Sequence, residues 1–209
     1  MEMVDVLIPP KFEKSGVIKE RSEALSDGDW IGTFNLWIIR SNPVPSLLYQ
    51  QRGSSTTYEP MKLDVSVGGH YSAGESLLDG LREAKEELGR EYDQDEVTYV
   101  GKRLQVVKDN KNILRHYVVD IFFVTDNEPL ESFLLEQREV AAIYDCPIES
   151  LLQMHEKNIA FSASGVDVNG CIVETEVSKE ILPYNWDSYH YKVALLAKRY
   201  LAGVKRLIY

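Results

Sequence analysis

Residues 76–88 carry the pattern that most restricts how this chain can fold. At about 100° per residue, Glu83, Glu86 and Glu87 share one face of a predicted helix, and Leu77, Leu81, Ala84 and Leu88 form a separate apolar stripe, with Gly89 as the stop. The stripe needs a sheet to pack on. The acidic face needs water or a cation, because carboxylates at i, i+3 and i+4 repel one another and destabilise an isolated helix by about 0.2–0.5 kcal/mol per pair.

Extended segments surround this helix. Residues 4–7, 33–39, 47–51 and 63–67 precede it, punctuated by Gly, Pro, Asn and Ser, and 97–107, 116–124 and 140–144 follow. Pro147 introduces a short predicted helix over 148–155. Segments 161–166 and 171–177 flank Asn169-Gly170, a hairpin turn pair. Residues 188–201 predict a closing amphipathic helix with Tyr189, Val193, Leu196, Ala197 and Tyr200 on one face, Lys198 and Arg199 in its last turn and Gly203 beyond it. Strands interleaved with few helices imply a mixed sheet covered by helices, an α/β (α+β) sandwich. With 209 residues and 44% hydrophobic content, one core can be buried, and no repeat or linker divides the chain.

The formal net charge of -10 repels nucleic-acid backbones and anionic membrane surfaces, so neither is an expected partner. A phosphorylated substrate would need a bound metal or a few placed cations. Two cysteines, Cys146 and Cys171, make no disulfide framework and lack zinc-site spacing. With no signal-peptide pattern in residues 1–10 and no run of roughly 20 apolar residues, a cytoplasmic location is expected.

An acidic helix face is by itself more often a solvated surface than a site. Here a Gly-rich turn, Gly68-Gly69-His70-Tyr71-Ser72-Ala73-Gly74-Glu75, precedes it, and Arg82-Glu83 and Leu88-Gly89 stand at fixed offsets from the carboxylates. Hard oxygen ligands suit Mg²⁺, which takes one or two carboxylates, keeps several waters and completes its shell with substrate phosphate oxygens.

The stretch resembles the signature of the Nudix hydrolase family, G-x5-E-x7-R-E-U-x-E-E-x-G, where U is aliphatic. Gly69 and Glu75 match its first half; Arg82, Glu83, Ala84, Glu86, Glu87 and Gly89 match its second. The resemblance implies a Nudix-type α/β/α sandwich with a mixed central sheet. It also implies that Glu83, Glu86 and Glu87 hold Mg²⁺ (Mn²⁺ as a substitute), that Arg82 keeps loop and carboxylates in register, and that Gly69, Glu75 and Gly89 shape the frame. One residue is missing: six, not seven, separate Glu75 from Arg82, which turns a helical side chain by about 100°. A Ser76–Asp79 capping box could start the helix late and absorb the loss.

Residues 4–6, 21–24, 28–30, 34–37, 64–70 and 182–189 are similar to the isopentenyl-diphosphate-isomerase-like branch of that family. By this resemblance residues 1–209 form a single domain with an N-terminal strand extension (about 1–30) and a C-terminal hairpin plus helix (about 158–209). True isomerases use an upstream cysteine and several histidines; this chain has no cysteine before Cys146, and Ile31 and Asn35 stand at the upstream histidine positions. Hydrolysis of a diphosphate linkage in a small phosphorylated metabolite, a nucleoside diphosphate or derivative, is therefore expected. The alternatives are an isomerase or a non-catalytic nucleotide-binding module, and a homodimer is compatible with each. Arg52 and His70 are the candidate substrate contacts, with Arg103 and Arg115 behind them, and Glu139 is a candidate further acidic group. Trp30, Phe34, Trp37 and Tyr117 are expected to pack the core.

Overall fold

The computed structural model describes residues 2–108, 113–183 and 187–209. Part of the 182–189 segment, residues 184–186, lies outside the described residues. Strand β3 (Trp30–Arg40) organises the sheet. Its residues Trp30 to Ile39 pair in parallel with β8 (Leu114–Thr125) along one edge. Its other edge is shared in turn by β1 (Met3–Ile8), β6 (Val67–His70) and β4 (Ser46–Arg52), all antiparallel. β2 (Glu13–Glu20) pairs with β1, β5 (Leu63–Asp64) with β4, and β7 (Thr98–Lys108) with β8. Beyond β4 the sheet continues through β9 (Val140–Pro147), β10 (Phe161–Asp167) and β11 (Ile172–Val177).

Side-chain alternation along β3 explains the layers. Phe34, Leu36 and Ile38 bury into one core with Leu81, Ala84 and Leu88 of α2 (Arg82–Leu88). Trp37 and Ile39 face a larger core shared with α3 (Ile148–Lys157) and α4 (Tyr189–Leu201). Period-two geometry puts every second residue on one face, so a strand apolar at nearly every position belongs between two helical layers. The α/β/α sandwich expected from the sequence is the architecture found. A smaller cluster of Val4, Ala24, Leu25 and Ile31 anchors α1 (Arg21–Asp27).

Three details depart from the sequence expectation. The helix predicted over 76–88 begins late: residues 73–78 are turns, a 3-10 turn covers Asp79–Leu81, and α2 starts at Arg82. Asp79 accepts hydrogen bonds from the Ser76 backbone N–H (2.6 Å) and hydroxyl (2.8 Å), an arrangement that competes with helix at this point. Leu77 accordingly leaves the apolar stripe and is exposed. The extended run 63–67 is two short strands, because the Ser66 hydroxyl is turned inward, accepting the Ile38 N–H at 2.9 Å and donating to the Leu48 carbonyl. α1 was not anticipated, and β2 was covered only by the N-terminal strand extension (about 1–30) that the resemblance implies. Their residues are mostly polar and partly exposed, so hydrophobic periodicity is weak there.

The end of α2 was legible. Gly89 takes φ 65°, and the Gly89 and Arg90 N–H groups return to the Lys85 and Ala84 carbonyls, both at 3.1 Å. This left-handed cap suits glycine. No described helix is long and apolar enough to cross a membrane.

Candidate active site

A cleft of about 1150 Å³ opens beside α2. Its walls come from the whole fold: Glu2 and Arg21 from the N-terminal elements, the 55–58 loop, α2, the facing strands β7 and β8, the 136–139 loop, and Tyr189 at the start of α4. Six of the chain's ten arginines line it (Arg21, Arg52, Arg82, Arg103, Arg115 and Arg138), and among the described residues no lysine does. A planar guanidinium can present two parallel N–H groups to phosphate or carboxylate, which an ammonium cannot.

On α2 the burial of Ala84 and Leu88 under β3 fixes which side chains turn to the cleft. Glu87 is buried at 8% exposure. It accepts a hydrogen bond from the Gly68 backbone N–H, yet its Oε2 is buried without a partner. Desolvation, then the charges of Glu83 and Glu139, hold its carboxyl well above the usual range. Glu83 is pushed up to about 7, mainly by burial, with Glu86 adding to the effect and Arg82 opposing it. Glu83 lies against the Gly-rich turn so closely that a methyl group at Gly69 would fall 2.6 Å from its carboxyl carbon. A Gly69→Ala variant is therefore expected to displace Glu83 and weaken Mg²⁺ binding by roughly 10-fold while remaining folded; calorimetric titration with MgCl₂ checks this.

Arg82 ties the two halves of the signature together. Its Nε donates to Glu75 Oε1 at 2.8 Å, and its Nη1 lies 2.9 Å from Glu83 and 3.2 Å from Glu86. Glu75 Oε2 accepts the Ser72 N–H at 2.7 Å. The shortened spacing thus still delivers a Glu75–Arg82 pair, because the residues between them run through turns instead of a continuous helix. Glu86 sits at the rim, its side chain 59% exposed. Among the described residues no three Asp, Glu, His or Cys side chains converge as a complete metal cage; the Arg82 guanidinium lies between Glu83 and Glu86. A buried carboxylate oxygen with no partner and a second carboxylate titrating near neutrality still form a donor set suited to a hard divalent cation, which needs only one or two protein carboxylates.

The other expected residues are distributed around this centre. Arg52 lines the cleft, donating to the Tyr58 carbonyl at 2.9 Å and pairing with Asp64 at 3.4 Å. His70 lines it too, with Nδ1 3.2 Å from Arg21 Nη1. Burial, with Arg21, Arg115 and Arg52 nearby, lowers its pKa to about 3, so the imidazole is neutral. Glu139 lies on the 136–139 loop, which is fastened to α2 by the Glu136 N–H donating to the Glu87 carbonyl at 2.8 Å. Arg103 is 3% exposed, donates to Asp187 at 2.6 Å and stacks 4.1 Å from the Tyr189 ring. Asp79 is exposed and serves the Ser76 turn. Phe34 and Trp37 are fully buried, Trp30 packs on Phe12 and His116, and Tyr117 lines the cleft. Cys146 is buried, Cys171 is exposed on the hairpin, and neither lines the cleft.

Sequence reasoning missed Gln50, Gln105, Arg21 and Glu136. Gln50 was within reach, since it stands two residues from Arg52 on the same strand face. Arg21 carries no local signal.

Comparison with known proteins agrees with this fold. No protein-family model matches the sequence. An uncharacterized Nudix hydrolase of Clostridium acetobutylicum is 32% identical over 159 residues, 76% of this chain and 75% of that protein. The chain belongs to the Nudix hydrolase family. Nudix hydrolase 3 of Arabidopsis thaliana is 37% identical to this Nudix protein over 142 residues, 66% of this chain but 18% of the plant protein. Among solved structures, a Deinococcus radiodurans protein superposes with a TM-score of 0.54 at 22% identity, covering 75% of this chain and 90% of that one, which shows a shared fold.

Proposed function

We propose that this Nudix protein hydrolyses a diphosphate linkage in a small phosphorylated metabolite, a nucleoside diphosphate or a derivative of one, with Mg²⁺ held by Glu83, Glu87 and Glu86 and with Mn²⁺ as a substitute. The observation that carries the proposal is the partnerless, buried Glu87 Oε2 at the wall of an arginine-lined cleft. A carboxylate placed there without a cation costs stability, and a cation placed there would meet the anionic linkage that the arginines attract. When bound, the cation neutralises charge on the phosphoryl oxygens and acidifies a water. The chain's own groups do the rest. Arg52, with Arg21 and Arg115 near it, orients the phosphates; Glu139 or Glu83 accepts a proton from the attacking water; Arg82 and Glu75 hold the Gly-rich turn against α2.

Isomerisation of an isoprenoid diphosphate has less support, although the branch resemblance motivates it. Such chemistry needs a placed acid and base on either side of a carbon skeleton. The cleft contains no thiol, and its one histidine is neutral and flanked by arginines.

Phosphate or nucleotide release with Mg²⁺ across nucleotides, nucleotide sugars, dinucleoside polyphosphates and isoprenoid diphosphates tests the proposal. Turnover above about 1 per second on a nucleoside diphosphate or derivative, abolished by chelator and restored by Mg²⁺, is expected. Silence across the panel, or full activity in the Glu86→Gln/Glu87→Gln double variant, rules it out. Deuterium uptake from heavy water into isopentenyl diphosphate would show isomerase activity instead.

A further inference from the structure

We infer that Gln50 is a specificity residue, its side-chain carbonyl accepting a hydrogen bond from a hydroxyl or amino group on the organic half of the substrate. The inference rests on the diphosphohydrolase reading above and deepens it.

Gln50 stands in the middle of β4, with Asp64 of β5 on one side and Ile143 of β9 on the other. Both neighbours are hydrogen-bonded strands, so its backbone is held on a rigid part of the scaffold. The residue is 3% exposed, lines the cleft, and its Oε1 is buried with no hydrogen-bond partner. Alternation along the strand puts it on the same face as Leu48, which packs in the α2 core, and Arg52. A buried amide oxygen left without a donor is costly, and such groups are rare in folded proteins unless a ligand or water completes them.

The missing donor cannot come from the phosphates, because ionised phosphate oxygens only accept hydrogen bonds. Those oxygens match the arginines, which only donate. What Gln50 requires is a donor carried elsewhere on the ligand. The same cleft presents further neutral hydrogen-bonding groups, the side chains of Asn35, Gln105 and Tyr189. A hydrocarbon tail pressed against them would remove polar groups from water without replacing the lost bonds. A nucleoside, with hydroxyl and amino donors, suits this wall, and an isoprenoid chain does not.

Two non-hydrolysable ligands that differ in their organic half test the inference: α,β-methylene-ADP and methylenediphosphonate, each titrated calorimetrically into the intact chain with Mg²⁺. The wild type should bind the nucleotide analogue more tightly. Gln50→Leu should weaken that ligand about 10-fold, the expected scale for one hydrogen bond, and leave methylenediphosphonate within about 2-fold. Gln50→Met, closer in shape and only a weak acceptor, should reproduce the result and decides the matter if the leucine variant does not fold. An equal loss for both ligands, or no loss for the nucleotide analogue, overturns the role of Gln50. A wild type that binds both ligands equally also removes this inference and leaves the diphosphohydrolase reading standing; binding of neither removes both.

Discussion

Glu87→Gln should produce a protein that is folded, more heat-resistant than the wild type in chelator, and slower by about 10²–10³-fold, the usual cost of removing one well-placed electrostatic contact. The two effects have one cause. Glu87 Oε2 is buried without a partner, and its carboxyl is held well above the usual range by desolvation and by Glu83 and Glu139. Glutamine keeps the shape and removes the charge. The sign of the pH dependence follows from the raised values. A carboxyl whose folded pKa exceeds its unfolded one binds its proton more tightly when folded, so its stability contribution is complete below about pH 4.5 and is lost as pH rises through the folded value. For Glu83 that value is about 7. Above pH 6.5 His70, His155 and His190, lowered by burial to about 3, 4 and 3, add little further stability as pH rises, so from there to pH 8 metal-free wild type should lose thermal stability, Glu87→Gln should lose less, and Mg²⁺ should restore the wild type at pH 8 by preferential binding to the folded state. Thermal melts in EDTA and in MgCl₂ across that range give the comparison. A wild-type Tm that rises between pH 6.5 and pH 8 in EDTA contradicts the charge environment described.

Tyr189→Phe deletes one oxygen and should destabilise the fold by roughly 2–4 kcal/mol, because it strands the buried Trp37 donor at about 1–3 kcal/mol and removes the Asn35 bond at about 1 kcal/mol. The Tyr189 hydroxyl accepts from Asn35 Nδ2 at 2.8 Å and from Trp37 Nε1 at 2.9 Å. Trp37 is fully buried, so water cannot easily take the place of its lost acceptor, whereas Asn35 lines the cleft and loses the smaller share. The bonds join the first turn of α4 to the central strand, across more than 150 residues of sequence. For a domain of this size the Tm should fall on the order of 10 °C, as read by calorimetry. A drop below about 2 °C would mean that the two donors find other partners and that α4 is held mainly by its apolar stripe.

How far the sequence revealed this molecule depended on whether the controlling physics was local. Strands such as β3 and β8, the Asn169-Gly170 hairpin and the Gly89 stop are set by neighbouring residues, and their types and approximate limits were readable. Helical periodicity counted Leu77 and Leu81 as one stripe and put the start of α2 at residue 76; the late start was signalled only by the Ser76–Asp79 pair, whose bonds hold these residues in turns. α1 was passed over, and β2 was left without limits inside the N-terminal extension, because few of their residues face a core. In the site, Glu83, Glu86, Glu87 and Arg82 were found because they lie within six residues. Gln50 could have been read from its spacing to Arg52, whereas Arg21 meets the cleft only through the return of the N-terminal segment, which residue spacing does not encode. The positions of Glu86 at the rim and of Arg82 between two carboxylates depend on side-chain packing and became visible only in three dimensions.

The central position of β3 also makes the chain unequally tolerant of insertions and deletions. A single residue gained or lost within Trp30–Arg40 would exchange Phe34, Leu36 and Ile38 for Asn35 and Trp37 across the sheet, disrupting both cores and every strand on its edges. The turns at 73–78 have no strand register to keep; they are held by separate hydrogen bonds, Ala73 to Met3, Gly74 to Asp5, Glu75 to Arg82 and Ser76 to Asp79. Drift in chain length within relatives of this protein should therefore collect in that loop, where the signature is already one residue short, and should spare β3.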